Sequence, residues 1–190
     1  MIGRAAVFAY GVLSYAIFFV TFLVMIAFVG NAFLLRTIDG EATVSFPLAA
    51  AINAGLILIF GLQHSVMARP WFKEKIVCWI PKAAERSTYV LASSIALIAL
   101  MWFWQPMGGT IWDVQDPLAR TALYGLFLSG WLIVLVVTFL INHFDLFGLR
   151  QVWLYLRGRP YTELRFDTPG PYRVVRHPLY VGWLLAFWAT

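Results

Sequence analysis

Charged residues divide the chain into long apolar runs. Nothing carries a formal charge in the 31 residues between Arg4 and Arg36, the 27 between Glu41 and Arg69, the 26 between Arg86 and Asp113, or the 24 between Arg120 and Asp145. A helix needs roughly 20 apolar residues to cross a bilayer. The runs are continuous and lack the two-residue alternation of a transmembrane β-barrel. The pattern therefore predicts spans at about 8–33, 47–67, 88–105 and 121–142, with a further apolar stretch over 178–190. The predicted fold is all-α: a polytopic integral membrane helical bundle, one domain over 1–190, with four full transmembrane helices and the first part of a fifth. The first run far exceeds the ~7–15 residues of a signal-peptide core, so it reads as an uncleaved anchor.

Composition agrees. Of 190 residues, 62% are hydrophobic and 12% charged, with a mean hydropathy of +0.79. This excludes an ordinary soluble domain, where about 25% of residues are charged. The net charge of +5 is distributed asymmetrically. Placing the N-terminus, the second loop and the fourth loop on one side gives that side 12 of the Lys and Arg residues, Arg165 among them, and leaves Arg36 and Arg120 on the other. By the positive-inside rule the N-terminus and the basic loops are cytoplasmic. The positive charge thus predicts contact with a lipid bilayer, not with nucleic acid. No obligatory protein partner is implied.

The candidate chemistry lies on the basic side. His64, His143 and His177 fall at one depth, near the basic-side ends of the second, fourth and fifth spans. Ionisable groups within membrane proteins usually face a bundle interior or a watery cavity. Each histidine is equally open to a plainer role as a helix-end group. Asn142 and Asp145 share a helix face if the fourth helix continues, which would allow Asp145 to fix the tautomer of His143. No His pair at i, i+4, no Cys pair and no HExxH motif occurs, so no metal centre is expected. Cys78, the one cysteine, has no histidine close in sequence and is assigned no role.

The segment Thr168–Gly182 is the densest in signals. Pro169-Gly170-Pro171 predicts a stiff elbow. Pro178 suits the first position of a helix, where its missing N–H costs nothing. Free N–H groups of that first turn, together with Arg173 and Arg176, would suit an anion such as the carboxylate of a small zwitterion, or a lipid phosphate. Gly182 lets a helix or a ligand approach closely.

The stretch Gly170-Pro171-Tyr172-Arg173-Val174-Val175-Arg176-His177-Pro178-Leu179-Tyr180-Val181-Gly182 resembles the GPY…RHPxYxG signature of the isoprenylcysteine carboxyl methyltransferase superfamily. Two further blocks resemble its nurim-like branch: His64-Ser65-Val66-Met67-Ala68-Arg69 with Pro81 and Glu85–Val90, and Asn142–Gln151. Within that branch the whole chain is most similar to bacterial enzymes that methylate methanethiol to dimethyl sulfide. The resemblance implies S-adenosylmethionine as cofactor and a small thiol as substrate. It places Tyr172, Arg173, Arg176, His177, Tyr180 and Gly182 at the cofactor. We read His64 or His143 as the catalytic group that accepts the thiol proton. The alternatives are methylation of an isoprenylcysteine carboxylate or a lipid, or a non-enzymatic nurim-like membrane protein. The superfamily carries a further polar block after the signature. Thirteen residues from Pro178 give about 20 Å of helix, against a hydrocarbon core about 30 Å thick. On both counts a C-terminally truncated fragment is expected.

Overall fold

A computed structural model describes residues 2–164 and 170–189. Arg165, Thr168 and Pro169 of the basic segment, and Thr190, lie outside the described residues. The described chain is helical, in the order α1 (Ile2–Val29), α2 (Phe46–Met67), α3 (Pro70–Ile76), α4 (Glu85–Phe103), α5 (Pro117–Ile141), α6 (His143–Leu146), α7 (Leu149–Leu156) and α8 (Pro178–Trp188). Short 3₁₀ turns precede α4 and follow α7, at Lys82–Ala84 and Gly170–Arg173. Among the described residues there is no strand. Four helices are long and apolar enough to cross a membrane, and α8 is a shorter apolar helix. The protein is an integral membrane helical bundle.

Helix ends follow local chemistry. Asp116 caps α5 by accepting the Ala119 N–H at 2.7 Å, and Pro117 occupies the first turn. At the other end of α5, Asn142 adopts φ +94° and stops the helix. Asn142 and Asp145 therefore do not lie on one continued helix face. Asparagine tolerates this left-handed conformation because its short side chain bonds locally. Pro178 begins α8.

The helices pack in a chain of pairs: α2 on α4, α4 on α1, α1 on α7, and α5 on α8. Phe28, Leu100, Met101, Phe127, Trp131 and Ala186 are buried at the centre. Outward-facing Val20, Leu58, Ile59 and Leu62 are exposed, as side chains facing acyl tails would be. Two buried hydroxyls return to their own helix: Ser14 donates to the Tyr10 carbonyl at 2.8 Å and Thr21 to that of Ile17 at 2.7 Å. Lipid offers no other partner for such groups.

Two contacts hold the basic side in register. Gly130 and Gly182 meet where α5 crosses α8. A Cβ on Gly130 would lie 2.5 Å from the Ala186 nitrogen, and one on Gly182 would lie 3.0 Å from the Gly130 carbonyl. The free face of Gly182 is thus taken by α5. Gly148, at φ +88°, lies where a Cβ would be 2.7 Å from Ser87 Oγ, so α7 can begin directly against α4.

Candidate functional site

The basic-side ends of the helices carry three polar groupings and a cavity. The first joins α2 to α4. His64 Nε2 lies 2.8 Å from the Tyr89 hydroxyl, and His64 Nδ1 lies 3.2 Å from Ser93 Oγ. Phe60 packs beside the imidazole, with ring centroids 5.4 Å apart. Gln63, one residue earlier, donates to Met67 Sδ at 3.1 Å, while its Oε1 is buried without a partner. His64 itself is exposed at the edge of the two helices.

The second grouping joins α1 to α5 and α6. His143 is 2% exposed. Its Nε2 lies 2.8 Å from the Tyr15 hydroxyl, and its Nδ1 lies 2.8 Å from Thr138 Oγ1. Thr138 donates its single hydroxyl proton to the Leu135 carbonyl at 2.6 Å, so it accepts from His143 Nδ1–H. His143 Nε2 must then accept the Tyr15 proton. Phe139 stacks flat on the imidazole, 4.1 Å away and 3° from parallel. Burial pushes the His143 pKa below the ordinary histidine value. Asp145 does not fix this tautomer, as sequence proximity suggested. Its side chain turns to Arg150, with Oδ1 2.9 Å from the guanidinium, and to Tyr161, whose hydroxyl donates to Oδ2 at 3.1 Å. The Tyr161 phenol is pushed up by burial, and further by its bond to Asp145.

The third grouping is the start of α8. His177 and Tyr180 are exposed, their rings 5.2 Å apart. Arg173 and Arg176 are exposed, and Tyr172 is half-buried, with a phenol pushed up by burial. Antiparallel contact of Gly182 with Val134, and of Ala186 with Gly130, puts these residues beside the basic-side end of α5.

The cavity has a volume of about 810 Å³ and opens between α3, the start of α4, α6, α7 and residues 159–163. Its wall carries both signs of charge: Lys73, Lys82, Arg86 and Arg159 together with Glu74, Glu85, Asp145 and Glu163. None of the three histidines lines it, and none of Tyr172, Arg173, Arg176, Tyr180 and Gly182 does so. The residues singled out in the sequence share the basic side of the bundle with this cavity but do not line it. Arg86 and Gln151 lie within the two blocks that carry the branch resemblance. Tyr15, Thr138 and Tyr161 gave no signal, because their partners are distant in sequence.

Whole-chain comparison gives the family. The chain is 52% identical over 189 residues to a methanethiol S-methyltransferase of Crocosphaera subtropica, covering 100% of this chain and 74% of that protein. It is 49% identical over 181 residues to a methanethiol S-methyltransferase of Mycobacterium tuberculosis, covering 95% of this chain and 74% of that one. The chain belongs to the methanethiol S-methyltransferase family. That family shades into another membrane protein: Nurim of Xenopus laevis is 30% identical over 156 residues, 76% of this chain and 53% of its own length. No protein-family model matches, and no solved structure matches.

Proposed function

We propose that the protein methylates a small thiol, converting methanethiol to dimethyl sulfide with S-adenosylmethionine as donor. It does so at the cytoplasmic face of a bacterial inner membrane. The observation that carries this reading is identity of 42–52% over nearly the whole chain to methanethiol S-methyltransferases. The basic-side cavity fits a donor of this chemistry. About 810 Å³ is within the range of small-molecule sites, and its mixed charges suit a zwitterion. Gln151 lines this cavity, and its Oε1 is buried and lacks a partner.

S-adenosylmethionine bound here supplies a methyl group on a positively charged sulfur. The chain's own tasks are to hold donor and thiol in line, to exclude water and to take one proton. The thiolate is the reactive form, so the thiol proton must leave before the new sulfur–carbon bond forms. Both histidines have partners on both ring nitrogens, but the His143 ring is enclosed while that of His64 is exposed. His143 thereby pins α1 to α5. His64, exposed at the edge of α2 and α4, is the better placed proton acceptor, through Nε2 once the Tyr89 hydroxyl gives up its bond there. His177, Tyr180 and Tyr172, which lie outside the cavity lining, offer aromatic faces to whatever part of the donor extends beyond it towards α8. Arg173 and Arg176 supply positive charge at the entrance, and Gly182 holds the start of α8 against α5. Methanethiol is small and apolar enough to arrive through the bilayer between helices.

The test is expression of the full-length gene in a host without this activity, supplied with methanethiol, with dimethyl sulfide measured in the headspace. Sulfide formation that depends on S-adenosylmethionine is expected. Folded protein that produces none overturns the reading.

A further inference from the structure

Two side chains on the cavity wall are held by neighbouring carbonyls of the same short helix. Arg86 Nε donates to the Leu146 carbonyl at 2.7 Å. Gln151 Nε2 donates to the Asp145 carbonyl at 3.0 Å. Asp145 and Leu146 are consecutive, so the guanidinium and the carboxamide are anchored on adjacent peptide units. Both line the cavity.

Each has an unused half. With Nε committed to Leu146, the two terminal nitrogens of Arg86 bond to no other group among the described residues. They form a planar fork of the kind that grips a carboxylate through two hydrogen bonds. The guanidinium is also steadied by the Tyr89 ring, 5.3 Å from its centroid. The orientation of the Gln151 amide is not ambiguous, because the Asp145 carbonyl can only accept. Its Oε1 therefore points away from that bond, and it is buried with no donor to satisfy it. A buried acceptor without a partner is costly unless a ligand supplies a proton. The Asp145 carboxylate is engaged on both oxygens, one by Arg150 and the other by Tyr161.

A double donor for a carboxylate beside a lone acceptor for an ammonium matches the head of an α-amino acid, whose two charges are joined through one carbon. We propose that Arg86 and Gln151 form an α-amino-acid subsite in this cavity, Arg86 taking the carboxylate and Gln151 Oε1 the ammonium. If the methyltransferase reading holds, the occupant is the amino-acid end of the methyl donor. This moves the carboxylate from Arg173 and Arg176 to Arg86 and leaves the α8 residues with the nucleoside end. A free amino acid has the same head and is the other source.

Calorimetric titration of the intact protein in nanodiscs separates these cases. The ligands are S-adenosylhomocysteine, 5′-methylthioadenosine, which keeps the nucleoside but lacks the amino-acid end, and L-methionine. Arg86→Gln and Gln151→Leu are each expected to weaken S-adenosylhomocysteine at least tenfold. Methylthioadenosine should stay within twofold, which also shows that the variants are folded. Unchanged S-adenosylhomocysteine affinity in both variants overturns the subsite, as does equal weakening of the two nucleosides. If wild type binds methionine but not S-adenosylhomocysteine, and the variants lose methionine, the subsite stands with a free amino acid and the methyltransferase reading falls. A wild type that binds none of the three overturns both.

Discussion

His143 shows how a residue's chemistry depends on what surrounds it. By position alone it was as good a proton acceptor as His64. The structure gives it a donor and an acceptor from two other helices and encloses it. Removing the Tyr15 hydroxyl leaves Nε2 buried without a donor. Such pairs within membranes contribute about 0.6 kcal/mol on average, and an orphaned buried group costs about 1–3 kcal/mol. Tyr15→Phe is accordingly expected to lower stability by about 1 kcal/mol in a denaturant titration, with little change in turnover. His64→Ala should instead lower turnover about a hundredfold, the usual scale of a lost proton acceptor. If His143→Gln reduces turnover as severely while the protein stays folded, the two roles are reversed.

Burial of His143 also sets a pH dependence. Its folded pKa lies below the ordinary 6.5, so the unfolded chain binds the proton more readily. The contribution to stability is complete above about pH 6.5 and is lost as the pH falls through the lower, folded value. The melting temperature should therefore drop on acidification from pH 7.5 towards 5. His143→Gln should flatten that slope, and an unchanged slope would place its origin elsewhere.

At the scale of elements, the α5–α8 crossing governs where the signature segment sits. A side chain at Gly130 would meet backbone atoms of α8 and not a yielding side chain. Overpacking of this kind costs about 1–3 kcal/mol. Gly130→Ala should lower the melting temperature and weaken nucleoside binding at His177 and Tyr180 together, because α8 must move. Gly125→Ala, on the same helix with open space around its Cα, should do neither. The short helices α3, α6 and α7 were not foreseen in the sequence. They are too short for apolar periodicity to stand out, and α6 exists because Asn142 interrupts the chain's helical course with a positive φ. The long helices were legible because a bilayer demands an uninterrupted apolar run, and such a run is a local property.

At the scale of the molecule, orientation has a direct test. Cys78 is the only cysteine and it is exposed in the loop between α3 and α4. A membrane-impermeant maleimide should label it in inside-out vesicles and not in sealed cells. The reverse pattern would put the basic face, and with it the cavity, outside the cytoplasm. Labelling reports topology independently of activity.

The sequence by itself determined that the chain is a membrane helical bundle, where its long helices run, which side is basic and which chemistry its relatives perform. All of these follow from local composition, from the charge asymmetry between loops, or from residue-by-residue similarity. Tertiary structure alone decided which polar groups meet. His143 bonds to a tyrosine 128 positions away, and Arg86 to a carbonyl 60 positions away. Hydrogen bonds act over about 3 Å in space with no regard for separation along the chain. The division between an enclosed histidine and an exposed one therefore arises only when the helices pack, as does the anchoring of Arg86 and Gln151 on neighbouring carbonyls of α6.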